Sequence, residues 1–299
     1  MKVLATRVYP GPAFDELDVE VLQLTDLREP RDDVEGLIVA NEPVPLDLLP
    51  GLRVVSNFGV GYDRVDVTAL ARRGIVFTNT PDVLTDATAD LAFALILAAR
   101  RRLVDADRRV RAGRWGGFWA EGELSEDVTG STLGIVGLGR IGGAVARRAR
   151  GFELRVLYTQ RRPVPTDLGD YRELDALLED SDIVSIHAPL TPATHGFLDA
   201  RRLALLHDGA CLVNTARGEI VEEEALVAEL VSGRISAGLD VFAHEPHVPR
   251  ELLELPNVVL TPHIGSATRQ AREAMTRLVV DNLRAVERGE QPLTPVATP

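Results

Sequence analysis

Along this chain, short runs of Val, Ile and Leu alternate with stretches whose apolar residues fall three and four apart. The first pattern predicts buried strands and the second amphipathic helices. Strands are expected over residues 2–5, 19–22, 36–40, 53–56 and 75–78, with a helix over 63–73 between the last two. A long helical pattern follows over about 86–111, ending in arginines that suit the negative end of a helix dipole. After a loop over 113–122 that contains Gly and Trp, the alternation restarts. Strands are expected over 133–136, 154–159, 182–187, 210–214, 235–240 and 257–261. Helices fit between them over 140–150, 173–179, 200–206, 222–231 and 250–253, and a last helix over 268–287 precedes a Pro-rich tail. There is no internal repeat and no low-complexity segment.

Strands alternating with helices imply parallel sheets covered by helices, an α/β fold. A length of 299 residues suits two domains at about 100–200 residues each. The expectation is two doubly wound parallel-sheet domains, Rossmann-like or flavodoxin-like, with the nucleotide-binding one inserted into the other. The substrate domain is expected over 1–94 plus 268–299 and the dinucleotide-binding domain over 95–267. The junction between two such domains is a common ligand site.

Composition narrows the function classes. A formal net charge of −12 argues against nucleic acid as a partner, because a phosphate-backbone binder needs a basic face. The longest uninterrupted apolar run, 91–99, is far short of the roughly 20 residues of a membrane span. Residues 1–5 lead directly into a strand pattern rather than a signal peptide, so no membrane partner and a cytoplasmic location are expected. Cys211 is the only cysteine, which excludes an internal disulfide and a cysteine-rich metal site; no metal is expected. Lys2 is the only lysine and lies in neither a Schiff-base nor a Walker-type context, so both chemistries drop out.

One turn points to a dinucleotide. Leu133-Gly134-Ile135-Val136 runs into Gly137-Leu138-Gly139-Arg140-Ile141-Gly142, which opens a helical pattern. A GxGxxG is informative when it follows a strand and starts a helix. Gly137 would allow the tight turn, Gly139 the approach of a pyrophosphate, and Gly142 close packing of helix on strand. The helix-start amides, at Arg140 and Ile141, would then meet the phosphate charge. The next strand should end beside the adenine ribose, where a site for NAD places Asp or Glu. Here Gln160-Arg161-Arg162 stands instead, and two guanidinium groups can bind a 2′-phosphate. NADP(H) is therefore the expected cofactor, with NAD(H) as the alternative.

Three later strand ends carry polar residues where open α/β sheets bind ligands: Asn214-Thr215-Ala216-Arg217-Gly218, Asp240 to Pro246, and Thr261-Pro262-His263-Ile264-Gly265. Together they supply an Arg, a Glu and a His. Reduction of a 2-oxo acid needs those types: a cation for the carboxylate, a proton donor for the carbonyl and an acid to tune the donor. His187 ends a strand and reads as structural, whereas His195, His207 and His247 read as solvent-facing.

With these segments in place, the chain resembles the D-isomer-specific 2-hydroxyacid dehydrogenases, and most closely their glyoxylate/hydroxypyruvate reductase branch. The likeness runs nearly end to end. It includes Gly59-Val60-Gly61-Tyr62-Asp63, Asn79-Thr80-Pro81-Asp82-Val83-Leu84-Thr85, the Gly-rich turn, His187-Ala188-Pro189-Leu190-Thr191-Pro192 and the three strand ends. The resemblance implies that Arg217 orients the substrate carboxylate and polarises its ketone, and that His263 is the acid/base. Glu245 would pair with that histidine and favour its charged form. The amides of Val60 and Gly61 would hold the substrate carboxylate, Asp240 would lie near the nicotinamide carboxamide, and Thr215 and Gly265 would add cofactor contacts. The implied activity is reduction of a small 2-oxo acid to the D-2-hydroxy acid. Alternatives on the same scaffold are a 2-ketogluconate, D-lactate or phosphite dehydrogenase, or a dinucleotide-sensing protein like the family's corepressors. A homodimer is implied by the resemblance alone. The 115–119 loop departs from the branch by placing Phe118, next to Trp119, where a tryptophan is common.

Overall fold

A computed structural model describes residues 1–117 and 124–297. Phe118 and Trp119 lie outside these described residues. The chain divides into two compact units, Met1–Leu84 with Ser266–Pro299, and Thr85–Gly265.

The first unit is built on five parallel strands: β1 (Val3–Ala5), β2 (Val19–Val21), β3 (Gly36–Val39), β4 (Val54–Asn57) and β5 (Val76–Thr78). Their order is β2-β1-β3-β4-β5, the flavodoxin-like winding. Side chains alternate between the sheet's faces with a period of two. Leu4, Leu37 and Val39 therefore pack with Leu70 of α1 (Val67–Arg72) on one side. Val3, Ala5, Ile38 and Val54 meet Val279, Leu283 and Val286 of α8 (Arg269–Glu287) on the other. Asp66 caps α1 by accepting from the Ala69 amide, and Thr268 caps α8 by accepting from Ala271, each satisfying an amide the helix cannot. The residues after α8 return along the open edge of β5, where Thr78 bridges Pro295 in antiparallel fashion.

The second unit carries seven parallel strands: β6 (Thr132–Val136), β7 (Arg155–Thr159), β8 (Asp170–Tyr171), β9 (Ile183–Ile186), β10 (Cys211–Asn214), β11 (Ser236–Leu239) and β12 (Val258–Leu260). The order β12-β11-β10-β9-β6-β7-β8 reverses direction between β6 and β9. Such a switch point opens a crevice at the carboxyl ends of the strands. Helices α4 (Arg140–Ala149), α5 (Leu174–Asp180), α6 (Ala200–Leu203) and α7 (Glu223–Val231) cover the sheet with α2 (Thr85–Arg100). The two-residue β8 has no counterpart in the sequence pattern, being too short to show a period.

Two expectations are corrected. The single helix over 86–111 is two, α2 and α3 (Leu103–Arg111), because Arg102 turns left-handed at φ 50°. Arg100 fixes the end of α2 by donating to the Gly209 carbonyl at 2.9 Å and the Asp127 carbonyl at 2.7 Å. The units also divide at Leu84/Thr85 and Gly265/Ser266 rather than at 94/95 and 267/268. All of α2 belongs to the second unit, where it packs so closely on β11 that a Cβ at Gly238 would lie 2.8 Å from the Leu95 Cβ.

Candidate active site

Because β10, β11 and β12 are neighbours in register, their carboxyl ends bring Arg217, Glu245 and His263 together. After β10, Asn214 forms the turn. Its Oδ1 accepts from the Ala216 amide at 3.0 Å and its Nδ2 donates to the Arg217 carbonyl at 2.8 Å. Arg217 follows in extended backbone and donates to the Ala216 carbonyl at 2.7 Å. The next residue, Gly218, lies so close to the Phe242 and Ala243 backbone that a side chain there would collide with it. The turn bearing Arg217 is thereby pressed against the loop bearing Glu245.

That loop is fixed by carboxylates. Glu245 Oε1 accepts from the Phe242 amide at 3.2 Å, and Glu223 Oε1 accepts from the Ala243 amide at 3.1 Å. The other oxygen of Glu245 meets His263 Nδ1 at 2.8 Å. Burial pushes the Glu245 carboxyl upward, but the His263 hydrogen bond and charge, the Phe242 amide and the Arg217 charge together hold it below its ordinary 4.5. Glu245 is thus kept as a carboxylate, and an ionised acceptor opposite Nδ1 favours a proton on that nitrogen.

His263 sits at φ 51°, a left-handed conformation that non-glycine residues adopt only when neighbours enforce it. Asp240 supplies the enforcement. It is fully buried; its Oδ1 accepts from Thr261 Oγ1 at 2.6 Å and the Ile264 amide at 2.8 Å, and its Oδ2 accepts from the Gly265 amide at 2.8 Å. Its backbone carbonyl takes the His263 amide at 2.9 Å. Burial raises the Asp240 carboxyl above its ordinary value against the pull of these donors and of His263. Asp240 and Gly265, both expected among the cofactor contacts, bond to one another and hold the histidine loop.

At the switch point, the Gly-rich turn has the form a dinucleotide requires. Gly137 adopts φ 98°, and a Cβ there would stand 2.9 Å from His187 and Ala188 backbone atoms of the segment after β9. Gly142 presses against the Gly137 carbonyl, so α4 begins directly over the strand. Open space lies beside Gly139, where no atom comes within 4 Å of an added Cβ. The start of α4, with Arg140 and Ile141, therefore offers amide donors beside that space. Thr215 Oγ1 is buried with no hydrogen-bond partner among the described residues, and a buried hydroxyl of this kind suits a ligand's polar atom. These features fit a bound dinucleotide.

Past β7, Gln160 Nε2 donates to the Arg162 carbonyl at 2.8 Å, while Arg161 and Arg162 are exposed. His187 bonds to Ser185 Oγ at 2.7 Å, and desolvation pushes its pKa down to about 4. Desolvation there favours the neutral ring. His195, His207 and His247 are exposed.

In the first unit, the Gly59–Gly61 turn is tied by its carbonyls. Asn57 Nδ2 donates to Gly59 O at 3.0 Å and Gly61 O at 2.9 Å, and Asn79 Nδ2 donates to Val60 O at 3.1 Å. The Thr80 amide adds a second bond to Gly59 O at 3.1 Å. A peptide's N–H points opposite its C=O, so these bonds turn the Val60 and Gly61 amides outward. Neither amide has a partner among the described residues. The sequence assigned no role to Asn57, Asn79 or Asn214 in holding these turns; the available signal was an Asn at or next to a strand end, beside a turn.

Residues 93–265 match the family described as D-isomer specific 2-hydroxyacid dehydrogenase, NAD binding domain. Over nearly its whole length the chain is similar to glyoxylate reductases. That of Pyrococcus furiosus is 46% identical over 98% of this chain and 94% of the relative. That of Thermococcus kodakarensis is 47% identical over 98% and 95%. Among solved structures, a Thermus thermophilus protein superposes with a TM-score of 0.92 at 44% identity, covering 99% of this chain and all of that one. The NADPH-dependent glyoxylate/hydroxypyruvate reductase of Sinorhizobium meliloti, solved with NADP and malonate, gives 0.90 at 40% identity over 99% and 96%. The chain therefore belongs to the D-isomer-specific 2-hydroxyacid dehydrogenases, a family of NAD(P)-dependent oxidoreductases, and falls within their glyoxylate reductase branch.

Proposed function

We propose that this chain reduces glyoxylate, hydroxypyruvate or a 2-oxo acid of similar size to the D-2-hydroxy acid, with NADPH preferred over NADH. A bound reduced nicotinamide dinucleotide supplies the hydride. His263 gives its Nε2 proton to the ketone oxygen as that oxygen gains negative charge, and Glu245 stabilises the imidazolium from the Nδ1 side. Arg217 orients the carboxylate and polarises the ketone, and its planar fork suits a carboxylate better than an ammonium would. The outward amides of Val60 and Gly61 hold the carboxylate oxygens. The observation that carries this reading is the 2.8 Å bond between His263 Nδ1 and Glu245 Oε2, made beside the Arg217 turn. Malonate in the Sinorhizobium meliloti reductase supports a small carboxylic acid as the substrate class.

Support for NADPH comes from Arg161 and Arg162, which are exposed beyond β7 with no acidic residue at 160–163. Phosphate on the adenine ribose would gain charge-assisted hydrogen bonds there. A homodimer is supported by apolar residues left on the second unit's surface: Leu103 and Val110 of α3 are 54% and 58% exposed, and Trp115 is 67% exposed. Leu103 and Val110, seven apart, share a helix face.

A panel of glyoxylate, hydroxypyruvate, pyruvate, 2-ketogluconate and, in the oxidative direction, phosphite, run with both cofactors, tests the proposal. The highest kcat/KM is expected for glyoxylate or hydroxypyruvate with NADPH. Preference for any other compound would reject the substrate assignment, and tight NADPH binding without turnover would favour a sensing protein.

A further inference from the structure

The polypeptide beyond α8 does more than cover a sheet edge. Thr294 is bonded on three sides. Its Oγ1 accepts from Asn282 Nδ2 at 2.8 Å and donates to the Asn79 carbonyl at 2.7 Å, and its amide donates to Asn282 Oδ1 at 3.1 Å. Asn282 is fully buried on α8, so Thr294 is anchored to a rigid element. Asn79 is held in turn: its carbonyl takes the Thr294 hydroxyl, and its amide donates to the Thr294 carbonyl at 3.4 Å. The Asn79 side chain then reaches Val60 O.

The two outward amides of the Gly59–Gly61 turn are not equally secured. Gly59 O, whose peptide carries the Val60 N–H, is held by both Asn57 and the Thr80 amide. Val60 O, whose peptide carries the Gly61 N–H, is held among the described residues by Asn79 alone. The direction of the Gly61 amide thus rests on one side-chain bond, and the residue making that bond is held by the C-terminal segment.

We infer that Thr294 is a positioning residue for substrate binding, acting through Asn79 to aim the Gly61 amide. The inference rests on the proposed role of the Val60 and Gly61 amides. Its hydroxyl is needed as acceptor and donor at once, which serine can provide and valine cannot.

The test uses the full-length chain carrying Thr294→Val, Thr294→Ala or Thr294→Ser. Loss of one net hydrogen bond predicts a KM for glyoxylate raised on the order of three- to tenfold in the Val and Ala variants. The kcat and the Kd for NADPH should stay within about twofold, and Thr294→Ser should restore the wild-type KM. Amide exchange at Asn79 and Thr80, followed by NMR without substrate, should quicken in the Val and Ala variants and not in the Ser variant. If Val destabilises the tail too far to fold, the Ala variant carries the same expectations. An unchanged KM, an equal rise in the Ser variant, or exchange unaltered by loss of the hydroxyl would overturn the inference. If the wild-type chain reduces no 2-oxo acid, the proposed activity fails on its own, and the exchange measurement still decides whether Thr294 orders Asn79.

Discussion

His263 and Glu245 meet through Nδ1 and Oε2 at 2.8 Å, while Nε2 of the same ring has no partner among the described residues. The pair therefore divides the imidazole's two nitrogens between a fixed carboxylate and an open position. A ring whose inner nitrogen faces an ionised acceptor presents the other as the exchangeable proton site. The histidine reaches that posture in a left-handed backbone held by Asp240, and the glutamate reaches it in a loop held by Glu223 and the Phe242 amide. The direction of Nε2 is thus set by groups on the Nδ1 side of the ring and in its own loop.

Replacement of Glu245 by Gln removes the charge while keeping a side chain of the same size. We expect reductive kcat to fall at least roughly tenfold, with NADPH affinity retained. The carboxyl lies below its ordinary 4.5 in the folded chain. Its contribution to stability is therefore present above that value and is lost as pH falls through the native one. Thermal melts against pH should show this acid-side loss in wild type and a weaker one in Glu245→Gln. Parallel profiles would contradict the assignment.

Arg217→Lys keeps the positive charge but loses the two-pronged geometry that matches a carboxylate. Steady-state kinetics should show kcat/KM for the oxo acid reduced by about tenfold or more. Near-wild-type kinetics would mean that charge alone suffices there.

Cofactor choice is tested by Gln160→Asp combined with Arg161→Ala, which adds an acceptor for a 2′-hydroxyl and removes a cation. The ratio of kcat/KM for NADH over NADPH should rise on the order of tenfold. A ratio that does not move would put the adenine ribose elsewhere.

Much of this was legible in the sequence because parallel strands buried on both faces must read as continuous Val, Ile and Leu. The Gly-rich turn was legible because its steric demands fall on particular residues: Gly137 in a left-handed turn and Gly142 against a carbonyl. The break after α2 was not legible, since α3 continues a helical pattern while burying none of its residues. The unit boundary was missed because Gly238 lets α2 approach β11, a contact between positions far apart in the chain. The part Asp240 plays in holding the histidine loop was not legible, because a strand-end carboxylate gives no local sign that loop amides will take both its oxygens. Asn79 and Thr294 were invisible as a pair, since their 215-residue separation leaves no periodic trace.

His187 provides a pH prediction independent of catalysis. Its pKa is pushed from the ordinary 6.5 to about 4 by desolvation, so the unfolded chain takes up this proton first as pH falls. Stability from the neutral ring is complete above pH 6.5, declines between 6.5 and 4, and levels off below. The loss is on the order of 3 kcal/mol. His187→Gln should melt with less dependence on pH across that window, whereas equal dependence in both proteins would show that His187 is solvated.

Proton donation by His263 to the ketone is tested by single-turnover oxidation of bound NADPH by glyoxylate in wild type and His263→Ala. That role predicts a hydride-transfer rate lowered by about 10²–10⁴-fold in the variant, with the Kd for NADPH unchanged. A variant that transfers hydride at the wild-type rate would contradict it.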